Sequence, residues 1–151
     1  MALPVAIRRQ AFRLAYVLLR VYWFVRRPRK DGVKCLLTDG DRVLLVRHTY
    51  GHGEWDLPGG SIKRREEPVI AARREMQEEL GVRIENWHAL GLLEGSMHHR
   101  RDLLHCFQAE LRAPISIDRA ELVTASWFPR RELPSELSRY VRPVLAQAPT
   151  D

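Results

Sequence analysis

This sequence predicts an α/β sandwich with a mixed central sheet, preceded by a basic amphipathic helix. Three observations carry that expectation. Apolar runs of strand length alternate with segments of helical period, the pattern of a layered α/β domain. Residues 5–27 contain no Gly or Pro, so a single long helix fits at the N-terminus. The 151 residues are 45% apolar, which suits one core. Residues 1–30 therefore read as the helical segment and residues 31–151 as the globular domain.

The N-terminal helix is stopped by Pro28 and the turn-prone Lys30-Asp31-Gly32. At about 100° per residue, Arg9, Arg13, Arg20 and Arg27 fall on one narrow stripe, and nearly all the rest of the cylinder is apolar. Arg20 divides the apolar run into residues 14–19 and 21–25. Each piece is too short for the roughly 20 residues of a membrane span. Arg20 and the lack of a small-x-small cleavage site also disfavour a secretory signal, whereas the acid-free, Arg-rich character is similar to an organelle transit peptide. The apolar arc needs a cover. It can lie in a membrane interface with its arginines near anionic headgroups, or it can pack on its own domain or on a second subunit in a homodimer. The run Tyr22-Trp23-Phe24 suits either setting, and packing is the preferred one.

Residues 33–38 and 42–47 are apolar runs joined by Asp39-Gly40-Asp41, a hairpin with its turn at the glycine. Residues 49–54, with Gly51 and Gly53, form a loop. A helix is expected at about 67–80, ended by Gly81 as its C-cap. Strands follow at 89–93, 103–111 and 122–128, and a terminal helix at 135–147 that Pro143 should kink or shorten.

The formal charge of +6 divides unevenly. Residues 1–30 hold eight bases and no acid, which leaves 17 bases against 19 acids in the remainder, a net of −2. The basic excess belongs to the helix, so no general or specific grip on nucleic acid by the domain is indicated. Cys35 and Cys106 each fall in an apolar, strand-like run without CxxC or His spacing and read as reduced core residues. That usage fits a cytoplasmic protein, held at a membrane surface if the helix is interfacial.

The chemistry concentrates in residues 60–82. On a helix, Glu75, Glu78 and Glu79 share one face, and three clustered acids repel unless a cation sits among them. Oxygen-only ligands favour a hard divalent ion, Mg²⁺ at about 2.0–2.1 Å or Mn²⁺. A solvated acidic face is the ordinary explanation of a lone Glu pair. The full spacing argues otherwise: Gly60, Glu66, Arg74, Glu75, Met76, Glu78, Glu79, Gly81 and Val82 fill in register the pattern G-x5-E-x7-R-E-U-x-E-E-x-G-U, with U an aliphatic residue and Met76 the bulky apolar stand-in. On these nine positions the chain resembles the Nudix hydrolases. The lead-in Trp55-Asp56-Leu57-Pro58-Gly59-Gly60 and the later Trp127-Phe128-Pro129 are similar to the same family, so the resemblance covers about residues 32–147.

The resemblance implies a Nudix-type α/β/α sandwich and the hydrolysis, by water attacking phosphorus, of a nucleoside diphosphate linked to another group. A multiply anionic pyrophosphate needs charge neutralisation and a positioned base. Glu78 and Glu79 are the expected metal ligands, joined by the Gly59 carbonyl, with Glu75 as a further ligand or the general base. Arg74 is expected to orient a neighbouring glutamate through paired N–H donors, and Glu66 to fasten the loop by a salt bridge. Glu121 is the candidate for a fourth carboxylate, with Glu94 and Glu110 as alternatives. Arg47, His48 and Tyr50 before the motif, and the cluster His98, His99, Arg100 and Arg101 after it, are candidates for substrate contact. The subfamily markers of ADP-ribose and dinucleoside polyphosphate hydrolases are absent, Met97 and residues 98–101 standing in their places. Three functions compete: a Mg²⁺-dependent pyrophosphohydrolase of a soluble nucleotide derivative, a membrane-surface hydrolase of a lipid or prenyl diphosphate, and a catalytically silent Nudix module for nucleotide binding or protein interaction. The intact Arg74–Glu79 run favours an enzyme.

Overall fold

Alternate residues of the first hairpin are buried on opposite faces: Val33, Cys35, Leu37, Leu44 and Val46 on one, Leu36, Val43 and Leu45 on the other. A hairpin apolar on both faces needs cover on both. In the computed structural model, which describes residues 5–26, 29–50, 52–97 and 100–149, that cover is helical. The elements run α1 (Val5–Arg26), β1 (Arg29–Asp39), β2 (Arg42–His48), β3 (Gly59–Ser61), α2 (Pro68–Leu80), β4 (His88–Met97), β5 (Arg100–Glu110), β6 (Leu122–Pro129) and α3 (Val141–Gln147). Ala71, Ala72, Met76 and Leu80 of α2 pack on the first face, and Val141 and Val144 of α3 with Leu57 and Cys106 on the second. This is the expected α/β/α layering. Cys35 and Cys106 are free, buried, and on opposite faces.

The six strands lie in the order β4-β5-β1-β2-β6, with β3 paired to β1 off this path. β1 pairs antiparallel with β2 and with β3, and β2 with β6. The chain forms two compact units, Met1–Lys30 with Glu94–Leu103 and Asp31–Leu93 with Leu104–Asp151. The layered core belongs to the second.

Three elements differ from the expected ones. Residues 30–32 are strand, not turn, because β3 pairs with them: Gly32 stands opposite Ser61, and the Asp31 carbonyl accepts from Ile62 N–H at 3.0 Å. β3 itself, three residues of Gly and Ser, carries no apolar signal. The terminal helix begins at Val141 rather than residue 135, which puts Pro143 in the first turn, where a missing N–H is harmless. Pro68 likewise opens α2 at its first turn, and Gly81, at φ 65°, closes it by donating to the Gln77 carbonyl.

On α1 the described apolar side chains are uncovered, with Leu14, Val17, Leu18, Val21, Tyr22, Phe24 and Val25 between 52 and 71% exposed. Among the described residues no helix is long and apolar enough to cross a membrane.

Candidate functional site

The glycines before the helix decide how closely its acids approach the sheet. β3 runs antiparallel to β1 with Lys34 opposite Gly59 and Val33 opposite Gly60. Gly59 has φ 155°, and a Cβ there would lie 2.1 Å from the Val33 carbonyl oxygen. A Cβ on Gly60 would lie 2.3 Å from the Glu75 carboxyl carbon. Two bare backbones thus let α2 press its carboxylates against β3, where Gly59 N–H donates to Glu79 Oε2 at 3.2 Å.

Arg74 is the organising cation. Its Nε and Nη2 donate to the two oxygens of Glu66 at 2.8 and 2.9 Å, a bidentate fork. Nη1 reaches Glu75 Oε1 at 2.7 Å and Glu78 Oε2 at 3.2 Å, and Nη2 also donates to the Ser61 carbonyl at 2.9 Å. One guanidinium therefore joins the loop, β3 and α2. Glu66 accepts the Lys63 N–H as well, at 2.8 Å, and the Arg74 hydrogen bonds hold its carboxyl down at about 2. With the folded pKa below the ordinary value, this clamp's stabilisation is complete above the usual carboxylate range and disappears as pH falls toward 2. Lysine carries one point charge in place of a planar fork. Arg74→Lys should therefore remove about 1.5–3 kcal/mol of charge-assisted bonding, a drop of roughly 3–12 °C in Tm at 2–4 °C per kcal/mol, together with a fall in kcat. Thermal melts and steady-state rates of the variant test this, and an unchanged Tm would show that the fork is not holding the loop.

The acids of α2 do not all converge as the helical spacing suggests. Glu75 and Glu79 are buried, whereas the Glu78 side chain is half exposed. Among the described residues no three carboxylate, His or Cys side chains form a ready ligand set; Arg74 bonds Glu75 and Glu78, and the Gly59 N–H bonds Glu79. The electrostatics nevertheless ask for a cation. Burial, only partly offset by the Gly59 N–H and by Lys34, pushes Glu79 up to about 8, with Glu75 and Glu121 adding repulsion. Burial also raises Glu75, against the Arg74 hydrogen bond, and Glu78 and Glu121 raise it further. A donor set of carboxylates and a backbone carbonyl, short of positive charge, fits a hard divalent ion in kind.

A pH dependence follows from Glu79. Its folded pKa lies above the unfolded one, so the fold favours the neutral form, and metal-free protein should lose stability as pH rises from about 4.5 through 8. Mg²⁺ should restore it, with the largest rise in Tm at the alkaline end. Melts with EDTA or Mg²⁺ across this window give the comparison. A metal-induced rise of the same size at every pH would mean that Glu79 ionises freely.

Glu121, just before β6, is exposed, and its carbonyl accepts Thr49 N–H at 2.8 Å. Its carboxylate is near enough to raise Glu75, Glu79 and the Tyr50 phenol, so it stands on the same side as the α2 acids. Of the alternatives, Glu110 pairs with Arg112, and Glu94 belongs to the first unit. Tyr50 is exposed and stacks on His48 with ring centroids 5.0 Å apart, and Glu79, after burial, is the largest cause of its raised pKa. Burial followed by Lys34 lowers the pKa of His48, whose buried Nδ1 has no hydrogen-bond partner among the described residues. Arg47 lies over the Trp55 ring at 4.6 Å and donates to Glu136 at 3.1 Å. Arg101 lines a cavity of about 520 Å³ in the first unit with Arg29, Glu94 and Asp102. The side chain of Arg100, and all of His98 and His99, lie outside the described residues.

Lys34 was not singled out in the sequence. Its Nζ bonds Asp56 Oδ2 at 2.5 Å and sits 5.5 Å from the Tyr140 ring centroid, while Asp56 Oδ1 accepts from Ser138 Oγ and Leu57 N–H. The network fixes the segment leading into Gly59 from β1 and the C-terminal segment together. The available signal was a lysine inside the apolar run 33–37, where a strand buried on both faces has little room for a charge.

Comparison with known proteins bears on the family. A family model described as NUDIX domain matches residues 28–148. The chain is similar to an RNA pyrophosphohydrolase of Teredinibacter turnerae, 36% identical over 72 residues that make up 47% of this chain and 42% of that protein. It is also similar to an ADP-ribose pyrophosphatase of Mycobacterium tuberculosis, 30% identical over 95 residues, 60% of this chain and 46% of that protein. The chain spans under half the length of these curated relatives. Among solved structures, a MutT Nudix hydrolase from Burkholderia pseudomallei shares the fold with a TM-score of 0.75 at 23% identity, over 80% of this chain and 98% of that one.

Proposed function

The chain belongs to the Nudix family, with the domain at residues 28–148, and from that membership we propose that it is a divalent-metal-dependent hydrolase that splits the pyrophosphate bridge of a nucleoside diphosphate linked to another group. The observation that carries this is the set of acids that Arg74 and Gly59 hold together: two buried carboxylates, Glu75 and Glu79, with half-exposed Glu78 beside them. Glu78, Glu79 and the Gly59 carbonyl, with Glu121 in support and Glu75 as a further ligand or the general base, would hold Mg²⁺ or Mn²⁺. When bound, that ion supplies neutralisation of the diphosphate's charge and lowers the pKa of water.

The chain's own residues do the rest. Arg74 fixes Glu75 by a 2.7 Å hydrogen bond, so the carboxylate that would take the proton from the attacking water is aimed before substrate arrives. Burial raises the pKa of Glu75, which makes it a better base than an exposed glutamate. Tyr50, exposed beside the acids, offers a ring to stack on a base and a hydroxyl to bond a ribose or phosphate oxygen. Arg47 offers a cation for a phosphate oxygen. Glu75→Gln should lower kcat strongly while Mg²⁺ still raises Tm if Glu75 is the base. Loss of the Mg²⁺ response would make it a ligand instead.

A chromatographic screen for hydrolysis products over nucleoside triphosphates, dinucleotides, nucleotide sugars, ADP-ribose, 5′-triphosphate RNA and prenyl diphosphates, each with Mg²⁺ and with EDTA, tests the whole. Hydrolysis of a nucleoside diphosphate derivative, abolished by EDTA, is the expected result. Binding of a nucleotide with no turnover in any class would instead support a silent binding module. Turnover confined to prenyl diphosphates would move the substrate to lipid.

A further inference from the structure

We propose that α1 is a peripheral membrane anchor that lies in the surface of an anionic bilayer, its apolar arc in the acyl boundary and its arginines among the headgroup phosphates. At about 100° per residue, within residues 14–25 Phe24, Val17, Val21, Leu14, Val25, Leu18 and Tyr22 form in that angular order one arc of about 160°, and every one of them is more than half exposed. Soluble monomers rarely leave so continuous an apolar surface uncovered, and such surfaces mark contact with a partner or a membrane.

The charge identifies the occupant. By the same rotation Arg20 borders the arc beside Phe24, and on the other side Arg26 stands between Ala15 and Leu19, all of them exposed, so the cations emerge within and beside the apolar surface. Arg20 lines a small groove with Val17, Val21 and Phe24, apolar neighbours along which a snorkelling arginine can lay its stem. Residues 1–30 carry eight bases and no acid. Two such helices facing each other would bring like charges together with no carboxylate to pair them, whereas a bilayer rich in anionic lipid supplies phosphates at the level where the arginines emerge. No described helix is apolar enough to cross a membrane, which leaves the surface-parallel placement.

Co-sedimentation of the full chain with vesicles tests this: phosphatidylcholine with about one-third phosphatidylglycerol, against pure phosphatidylcholine, at low salt and at about 0.5 M salt, where the Debye length falls to a few ångströms. The expected result is binding to the anionic vesicles at least tenfold stronger than to the neutral ones, weakened by salt. The double variant Leu18→Asp/Val25→Asp, its fold checked by circular dichroism, should lose binding tenfold or more. Absence of binding to anionic vesicles at low salt would overturn the proposal. So would binding that survives Leu18→Asp/Val25→Asp, since the arc would then not be inserted. A dimer in sedimentation velocity that the same variant dissociates, without vesicle binding, would make a second copy the cover and overturn it as well.

Discussion

Glu79→Gln should lower kcat by at least about a hundredfold and raise the melting temperature of the metal-free protein. Glutamine keeps the shape of the side chain and can still accept the Gly59 N–H at 3.2 Å, so the local geometry has no reason to change. What it removes is a carboxyl that the metal-free fold keeps protonated up to about 8, well above its ordinary value. At neutral pH the unfolded chain ionises that carboxyl and the fold does not, a cost that glutamine does not carry. Removing a ligand charge from a metal-dependent phosphoryl site impairs turnover. The opposite signs separate the proposed role from a structural one, because a merely structural glutamate would lose stability and activity together. Glu78→Gln should show a similar loss of kcat with little change in Tm, its side chain being half exposed. Steady-state rates at saturating Mg²⁺ and melts in EDTA decide the matter. Near-normal turnover in both variants would remove these residues from the site.

What the sequence revealed of this site, and what it hid, follows from the range of the interactions involved. Residues linked by helical spacing were legible, because Arg74, Glu75, Glu78 and Glu79 sit within one turn and a half of α2, where geometry follows from the 3.6-residue repeat. The hairpin β1–β2 and the cap at Gly81 were legible for the same local reason. The convergence of the acids was only half legible. Spacing places carboxylates on a face, but Arg74 lies on that face too, and its guanidinium decides which oxygens turn where. Lys34, Asp56, Ser138 and Tyr140 were not legible as a group, since residues separated by up to 106 positions meet only once the sheet has formed. β3 escaped because its pairing with β1 is set by backbone approach rather than by apolar side chains. The start of α3 could have been placed from Pro143 alone, by asking which helix start puts a proline in its first turn.

The second large effect is expected at Gly59. At φ 155° the residue is in a region that side chains with a Cβ rarely occupy, and an added Cβ would stand 2.1 Å from the Val33 carbonyl oxygen. That oxygen belongs to the backbone of β1, directly across the β1–β3 pair, so no flexible side chain can yield. Gly59→Ala must therefore move β3 away from β1. The shift would carry the Gly59 N–H away from Glu79 and disturb the pairing with Lys34, so stability and the site fail through the same displacement. Backbone strain and a steric clash together should cost about 3 kcal/mol or more, a loss of roughly 6–12 °C in Tm at 2–4 °C per kcal/mol, with kcat reduced at least tenfold. Gly53→Ala is the control. Gly53 also has positive φ, 74°, but an added Cβ there meets nothing within 4 Å, so only the conformational penalty of about 1–2 kcal/mol applies. Differential scanning fluorimetry on both variants gives the comparison. If Gly59→Ala melted no lower than Gly53→Ala, the close approach of β3 to β1 would not be what positions Glu79, and the backbone carbonyl of Gly59 would lose its claim to a place beside the metal.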